Sequence, residues 1–204
     1  RNIISREVNI LKIKTTIRNI LQSEYAAIFL LLFVFLLAGP FVPRFFSTSN
    51  ILNLLTRTAI SGIAAIGMTF VILTSGIDLS VGGILVLTAY IGADKLVMGL
   101  GMNVWLAAIL MVLIGGFIGL INGFNIVSLG MPPFIATLIM MNITRGIAHY
   151  VFEAQTIYGL PIAYDVFGQG EILGFPVPLL ILLCVFVLTF FILKYTVFGR
   201  WVYS

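Results

Sequence analysis

The stretch TSGIDLSVGG, residues 74–83, sets a single carboxylate, Asp78, and the hydroxyls of Thr74, Ser75 and Ser80 among glycines. Apolar sequence flanks it on both sides. Asp78 and Ser80 stand just before the run VGGILVLTAYIGA, the pattern of a helix amino terminus. Either side-chain oxygen could accept a hydrogen bond from an orphan backbone N–H, and a negative charge there complements the helix dipole. A carboxylate at the centre of a membrane helix costs roughly 2.5–3.5 kcal/mol, so Asp78 is expected to face protein or water rather than lipid. Two readings are compatible: a cap at a helix break, and a polar face on a solute path.

The surroundings make lipid the solvent. Of 204 residues, 61% are hydrophobic and 9% charged, against about a quarter charged in soluble domains. The mean hydropathy is +1.18. The net charge of +4 gathers at the amino end, where a membrane surface explains it better than nucleic acid. Residues 1–25 carry isoleucines at helical spacing among basic residues and predict an amphipathic cytoplasmic segment lying on the membrane, an uncleaved anchor rather than a signal peptide.

Outward from the central motif the sequence predicts an all-α polytopic bundle. About six spans are expected, near residues 26–42, 58–75, 79–97, 104–127, 134–152 and 177–194, with broken helices around GIDLSVG. Whether the second and third are two crossings or one interrupted unit stays open. Polar loops are expected at 44–57 and 153–176. With the amino end in the cytoplasm, Arg1, Arg6, Lys12, Lys14, Arg18, Lys194 and Arg200 lie inside and Arg44, Arg57 and Lys95 outside. Seven against three satisfies the positive-inside rule.

Other residues admit a bland and a sharp reading. Gly115, Gly119 and Gly123 form a small-residue ridge for close helix packing. Asn122, Asn125 and Asn142 either bond between helices or, with Thr74, Asp78 and Ser80, line a polar path. Arg145 and His149 share a face, with no nucleophile tied to the histidine. Cys184 reads as a small apolar residue. No HExxH, CxxC or GxxxxGK[ST] occurs, so no metal site and no catalytic residue is expected, and any ATP hydrolysis must belong to another chain.

The block GMTFVILTSGIDLSVGG, residues 67–83, resembles the signature of the ribose-type permeases, inner-membrane subunits of bacterial ABC importers for monosaccharides. GLINGF at 119–124, PPFIATL at 132–138, Arg145–Gly146 and FGRWVYS at 198–204 follow in the same order. The resemblance implies that residues 26–204 form an incomplete permease domain whose second half is absent. It implies a second permease, identical or a paralogue, an ATPase subunit that binds ATP and Mg, and an extracytoplasmic solute-binding protein. It also implies alternating access in a multi-pass inner-membrane protein, with Arg200 on the cytoplasmic coupling side. Topology then puts Glu153 and Asp165 on the outer docking loop. The expected solute is a monosaccharide; relatives of this family also carry autoinducer, nucleosides or riboflavin, and more distant ones branched-chain amino acids, which leaves the substrate open. An intramembrane enzyme would need paired aspartates or a Ser–His or metal cluster. A non-catalytic scaffold would need only the packing glycines.

Overall fold

A computed structural model describes residues 26–153 and 155–204, which leaves the expected amphipathic segment at 1–25 outside the described residues. Two compact units divide the chain, Arg1–Asn53 and Leu54–Ser204.

In the first unit, α1 (Ala26–Phe41) is a 16-residue apolar helix. At 1.5 Å per residue it is about 24 Å long, below the roughly 30 Å of a hydrocarbon core. Pro40 lies inside its last turn. The chain then turns at Arg44, whose φ is 61°, and Phe45 and Phe46 come back against Phe35 edge-to-face, with ring centroids 5.2 and 5.5 Å away.

The helix α2 (Thr48–Leu73) runs for 26 residues. This corrects the expectation of a polar loop at 44–57, because the helix begins at Thr48 and takes in Arg57. Asn50 steadies its start by donating from Nδ2 to the Phe45 carbonyl, at 2.6 Å.

In the second unit, α3 (Val81–Tyr90) continues as a π-helical segment (Ile91–Gly99). Asp94 and Lys95 therefore sit inside a helix rather than closing it. α4 (Val104–Val127) is capped by Asn103, whose side chain accepts from the Trp105 N–H at 2.9 Å. α5 (Pro133–Phe152) starts with proline at its first position, where the missing N–H has no intrahelical use.

The expected loop at 153–176 contains a helix, α6 (Ile162–Gln169), and a two-stranded antiparallel turn pairing β1 (Glu171–Ile172) with β2 (Phe175–Pro176). α7 (Val177–Tyr195) and the short α8 (Val197–Val202) follow. Among the described residues five helices are long and apolar enough to cross a membrane: α2, α3 with its π-helical continuation, α4, α5 and α7. The break at 74–80 thus joins two helices of spanning length.

Helix α3 is the hub of this unit, packed most extensively on α5 and also on α4. One apolar cluster joins Leu87, Ile118, Met140 and Ala148 from the three helices. A second sets Val97, Val104 and Ala107 under Tyr164 and Phe167 of α6. Outward side chains such as Val112 and Leu120, 75% and 72% exposed, are apolar, as lipid contact demands.

The closest approach of α3 to α5 is at Gly83. A β-carbon there would meet Thr144 Oγ1 and lie 2.9 Å from the Met141 carbonyl oxygen. Gly83→Ala should therefore destabilise the fold by about 1–3 kcal/mol, the usual penalty of overpacking. Gly116→Ala, where a β-carbon meets nothing within 4 Å, should gain about 0.5–1 kcal/mol from helix propensity. Thermal unfolding of the two variants in detergent checks the opposite signs.

Candidate functional site: a polar relay at the end of the bundle

At the end of α2, Thr74 Oγ1 lies 3.1 Å from the Phe70 carbonyl and 3.0 Å from that of Val71. Ser75 takes a left-handed φ of 57°, and the Gly76 N–H closes a wide turn onto Val71 O at 2.8 Å. The chain runs on to Asp78, whose Oδ1 accepts from both the Ser80 N–H at 2.7 Å and the Ser80 hydroxyl at 2.6 Å.

Ser80 already has helical φ and ψ of −78° and −17°, and its side chain makes no cap bond. Its carbonyl accepts the first α3 bond, from Ile84 N–H at 2.9 Å. The carboxylate thus serves the terminus that either Asp78 or Ser80 was expected to serve. Ser80 is left with a different task.

Ser80 is 0% exposed, and its hydroxyl also accepts from Asn122 Nδ2 of α4 at 2.9 Å. The chemistry fixes this direction. An ionised carboxylate only accepts, so it takes the hydroxyl hydrogen, and Ser80 then offers Asn122 a lone pair. The amide must present its NH₂. Asn122 is 4% exposed, and its Oδ1 has no partner. Most buried polar atoms are satisfied, so such an atom calls for an explanation.

The relay borders a cavity. It measures about 360 Å³ and is lined by Val71, Thr74, Asp78, Asn122 and Thr137 together with Gly119 and Gly123. Thr137, 2% exposed, shares its hydroxyl hydrogen between the carbonyls of Pro133 at 2.8 Å and Ile77 at 3.2 Å. It thereby ties α5 to the Asp78 turn. Asp78 and Asn122 both line it, but the unpartnered Asn122 Oδ1 is itself buried, so the acceptor on this wall is the half-buried Asp78 carboxylate. A larger cavity of about 550 Å³, among Ile60, Ile84, Met111 and Phe167, is lined mostly by apolar groups, with Thr88 and Tyr164 its only hydroxyl-bearing residues.

The structure gathers Thr74, Asp78, Ser80 and Asn122, and it separates the other two candidates. Asn125 is half-buried. Asn142 is exposed, donating from Nδ2 to Leu138 O within its own helix at 2.8 Å. It stands five residues from Thr137, about 140° round α5 at 3.6 residues per turn.

The glycine ridge divides as well. Gly115 faces Ile84 and Thr88 of α3, whereas a β-carbon on Gly119 or Gly123 would meet nothing within 4 Å. Within this chain those two widen the cavity rather than pack a helix. Arg200 is exposed on α8, the helix whose Phe198 ring lies 6.0 Å from that of Phe70 near the end of α2. Glu153 and Asp165 are exposed beyond the far end of α5. Thr137, legible in the sequence only as one polar residue of the fifth span, was not among the expected site residues. Its only local signal was a hydroxyl one turn after Pro132–Pro133.

Ser80→Ala should cost about 1–3 kcal/mol, because it strands the buried Asn122 amide. Pairing it with Asn122→Leu should recover much of the loss. A double-mutant cycle of thermal unfolding in detergent checks the coupling.

The ribose import permease of Haemophilus influenzae is 38% identical over 187 residues, covering 90% of this chain and 56% of the relative. That of Bacillus subtilis is 44% identical over 164 residues, covering 79% and 50%. The D-allose transport system permease of Escherichia coli is 34% identical over 183 residues, covering 89% and 56%. The chain therefore spans about half the length of the curated relatives it matches. It matches no solved structure. The profile of the family described as branched-chain amino acid transport system / permease component matches residues 50–204, and the chain belongs to that family, as a relative of the ribose import permeases.

Proposed function

We propose that this chain is part of the permease subunit of an ABC importer that carries a small polar solute, a monosaccharide, into the cytoplasm by alternating access. The observation that carries this reading is the buried relay Asp78–Ser80–Asn122, which sets the Asp78 carboxylate on a cavity between helix ends. A neutral sugar needs such groups and no fixed counter-charge. The transport of ribose and of D-allose by the relatives supports the solute class.

Without a P-loop in the chain, ATP and Mg belong to a partner ATPase, and a second permease completes the pathway. The protein is a multi-pass component of the bacterial inner membrane in which the short apolar α1 makes a sixth crossing in addition to the five longer helices, so that its amino end lies in the cytoplasm with Lys194 and Arg200. Lys194 and Arg200 favour the Asp78 end as the cytoplasmic one. Arg200 then lies on the ATPase side. Residues 153–176, with Glu153 and Asp165, contribute to the outer surface where a loaded binding protein docks.

Reconstitution of the full-length permease with its ATPase and binding protein in liposomes tests this with labelled D-ribose. Uptake should require ATP, and Asp78→Asn should lower it at least tenfold while keeping an oxygen for Ser80. Normal uptake by this variant would remove the path role and leave Asp78 as a turn. Uptake without the ATPase would overturn the importer reading. Asp165→Lys should reduce stimulation by the binding protein, and unchanged stimulation would take the docking surface elsewhere.

A further inference from the structure

The opposite end of the bundle holds a second polar cavity, of about 330 Å³, bordered by Tyr90, Asp94, Glu153, Gln155, Thr156 and Tyr158. α5 links the two cavities, since Thr137 borders one and Glu153 the other. Sixteen residues at 1.5 Å each put them about 24 Å apart.

Two features of this second cavity work against the fold. Glu153 is the C-cap residue of α5 in the left-handed conformation, with φ 53° and ψ 19°, a place where glycine is strongly favoured. Its negative charge also opposes the helix dipole, which favours cations at a carboxyl end. On the other wall, α3 gives up α-helical pairing for nine π-helical residues, with Leu100 N–H bonded to Lys95 O at 3.0 Å. Such segments are rare and frequent at functional sites. Local rules broken on both sides of one cavity are the signature of a site kept for a purpose other than stability.

The chemistry of the lining indicates the occupant. Asp94 is neutralised by Lys95 at 2.8 Å, and Lys95 also lies over the Phe152 ring at 5.3 Å. Glu153 accepts from Gln155 Nε2 at 3.0 Å, so carboxylate and amide sit side by side. Tyr90 is fixed by stacking on Phe152, with centroids 5.1 Å apart, and by donating its hydroxyl hydrogen to Gln155 O at 3.1 Å. The Tyr158 ring is 80% exposed and has no ring partner among the described residues. An open aromatic face beside carboxylate and amide groups suits a ligand with an apolar C–H face and several hydroxyls. A cationic ligand is less well matched, because Lys95 already occupies Asp94.

We infer that this cavity is a second binding station for a neutral monosaccharide, separate from the relay at the Asp78 end, with Asp94 and Glu153 accepting from sugar hydroxyls and Tyr158 packing on the sugar ring. The inference rests on the monosaccharide reading above. Saturation-transfer difference NMR on the full-length permease in nanodiscs, without ATPase, tests it with D-ribose and D-allose as probes. At least one sugar should give signals that survive Asp78→Ala and fall at least fivefold in Asp94→Asn and Glu153→Gln. Glu153→Gly should also lose the signals while raising Tm by about 2–4 °C, a combination that a purely structural residue would not give. Signals absent from the wild type, or lost in Asp78→Ala but kept in Glu153→Gln, overturn the station, as does a lower Tm for Glu153→Gly. ATP-driven uptake by the unaltered transporter reports separately on the permease reading.

Discussion

Asp78 Oδ1 receives both hydrogens that Ser80 can offer, and the rest of the site depends on that pair of bonds. Once the hydroxyl hydrogen is committed to the carboxylate, Ser80 can only accept from Asn122, and the Asn122 carbonyl oxygen is left without a partner. One local turn thus orients a side chain on another helix. In a medium without water, unmet polar groups are costly. The relay is tolerable because Ser80 and Asn122 are buried in protein and bonded to each other and to Asp78.

The backbone makes room for this arrangement. Gly83 lets α3 come against α5 at Thr144, and Gly115 lets α4 come against Ile84 and Thr88. Thr137 fastens the start of α5 to the Asp78 turn. Beyond these contacts Leu87, Ile118, Met140 and Ala148 form an apolar layer, and past it α3 unwinds into π-helix beside Glu153. The two polar cavities therefore lie at opposite ends of α3 and α5, with this apolar cluster between them.

Much of the fold was legible in the chain. Composition and long apolar runs give a helical membrane protein, and the motif at 74–83 marks the break. The boundaries were less legible. Residues 44–57 read as polar, yet α2 starts at Thr48, because three or four polar side chains on one helical turn do not prevent helix formation. Asp94 and Lys95 read as a terminus, yet they lie within the π-helical segment, paired with each other. Among the site residues, Asp78 and Ser80 were evident from their position before an apolar run. Asn122 could not be separated from Asn125 and Asn142 by sequence, and Thr137 carried no distinguishing signal.

The sequence by itself determined the solvent, the helical state and the place where a charge interrupts the hydrocarbon-seeking runs. Those properties are sums over neighbouring residues. Tertiary structure alone decided which asparagine meets Ser80, forty-two positions away, which glycines pack and which open a cavity, and that Glu153 and Asp94 border one cavity. Such pairings are set by how helices rotate and approach one another, a consequence of packing many side chains at once that no local stretch encodes.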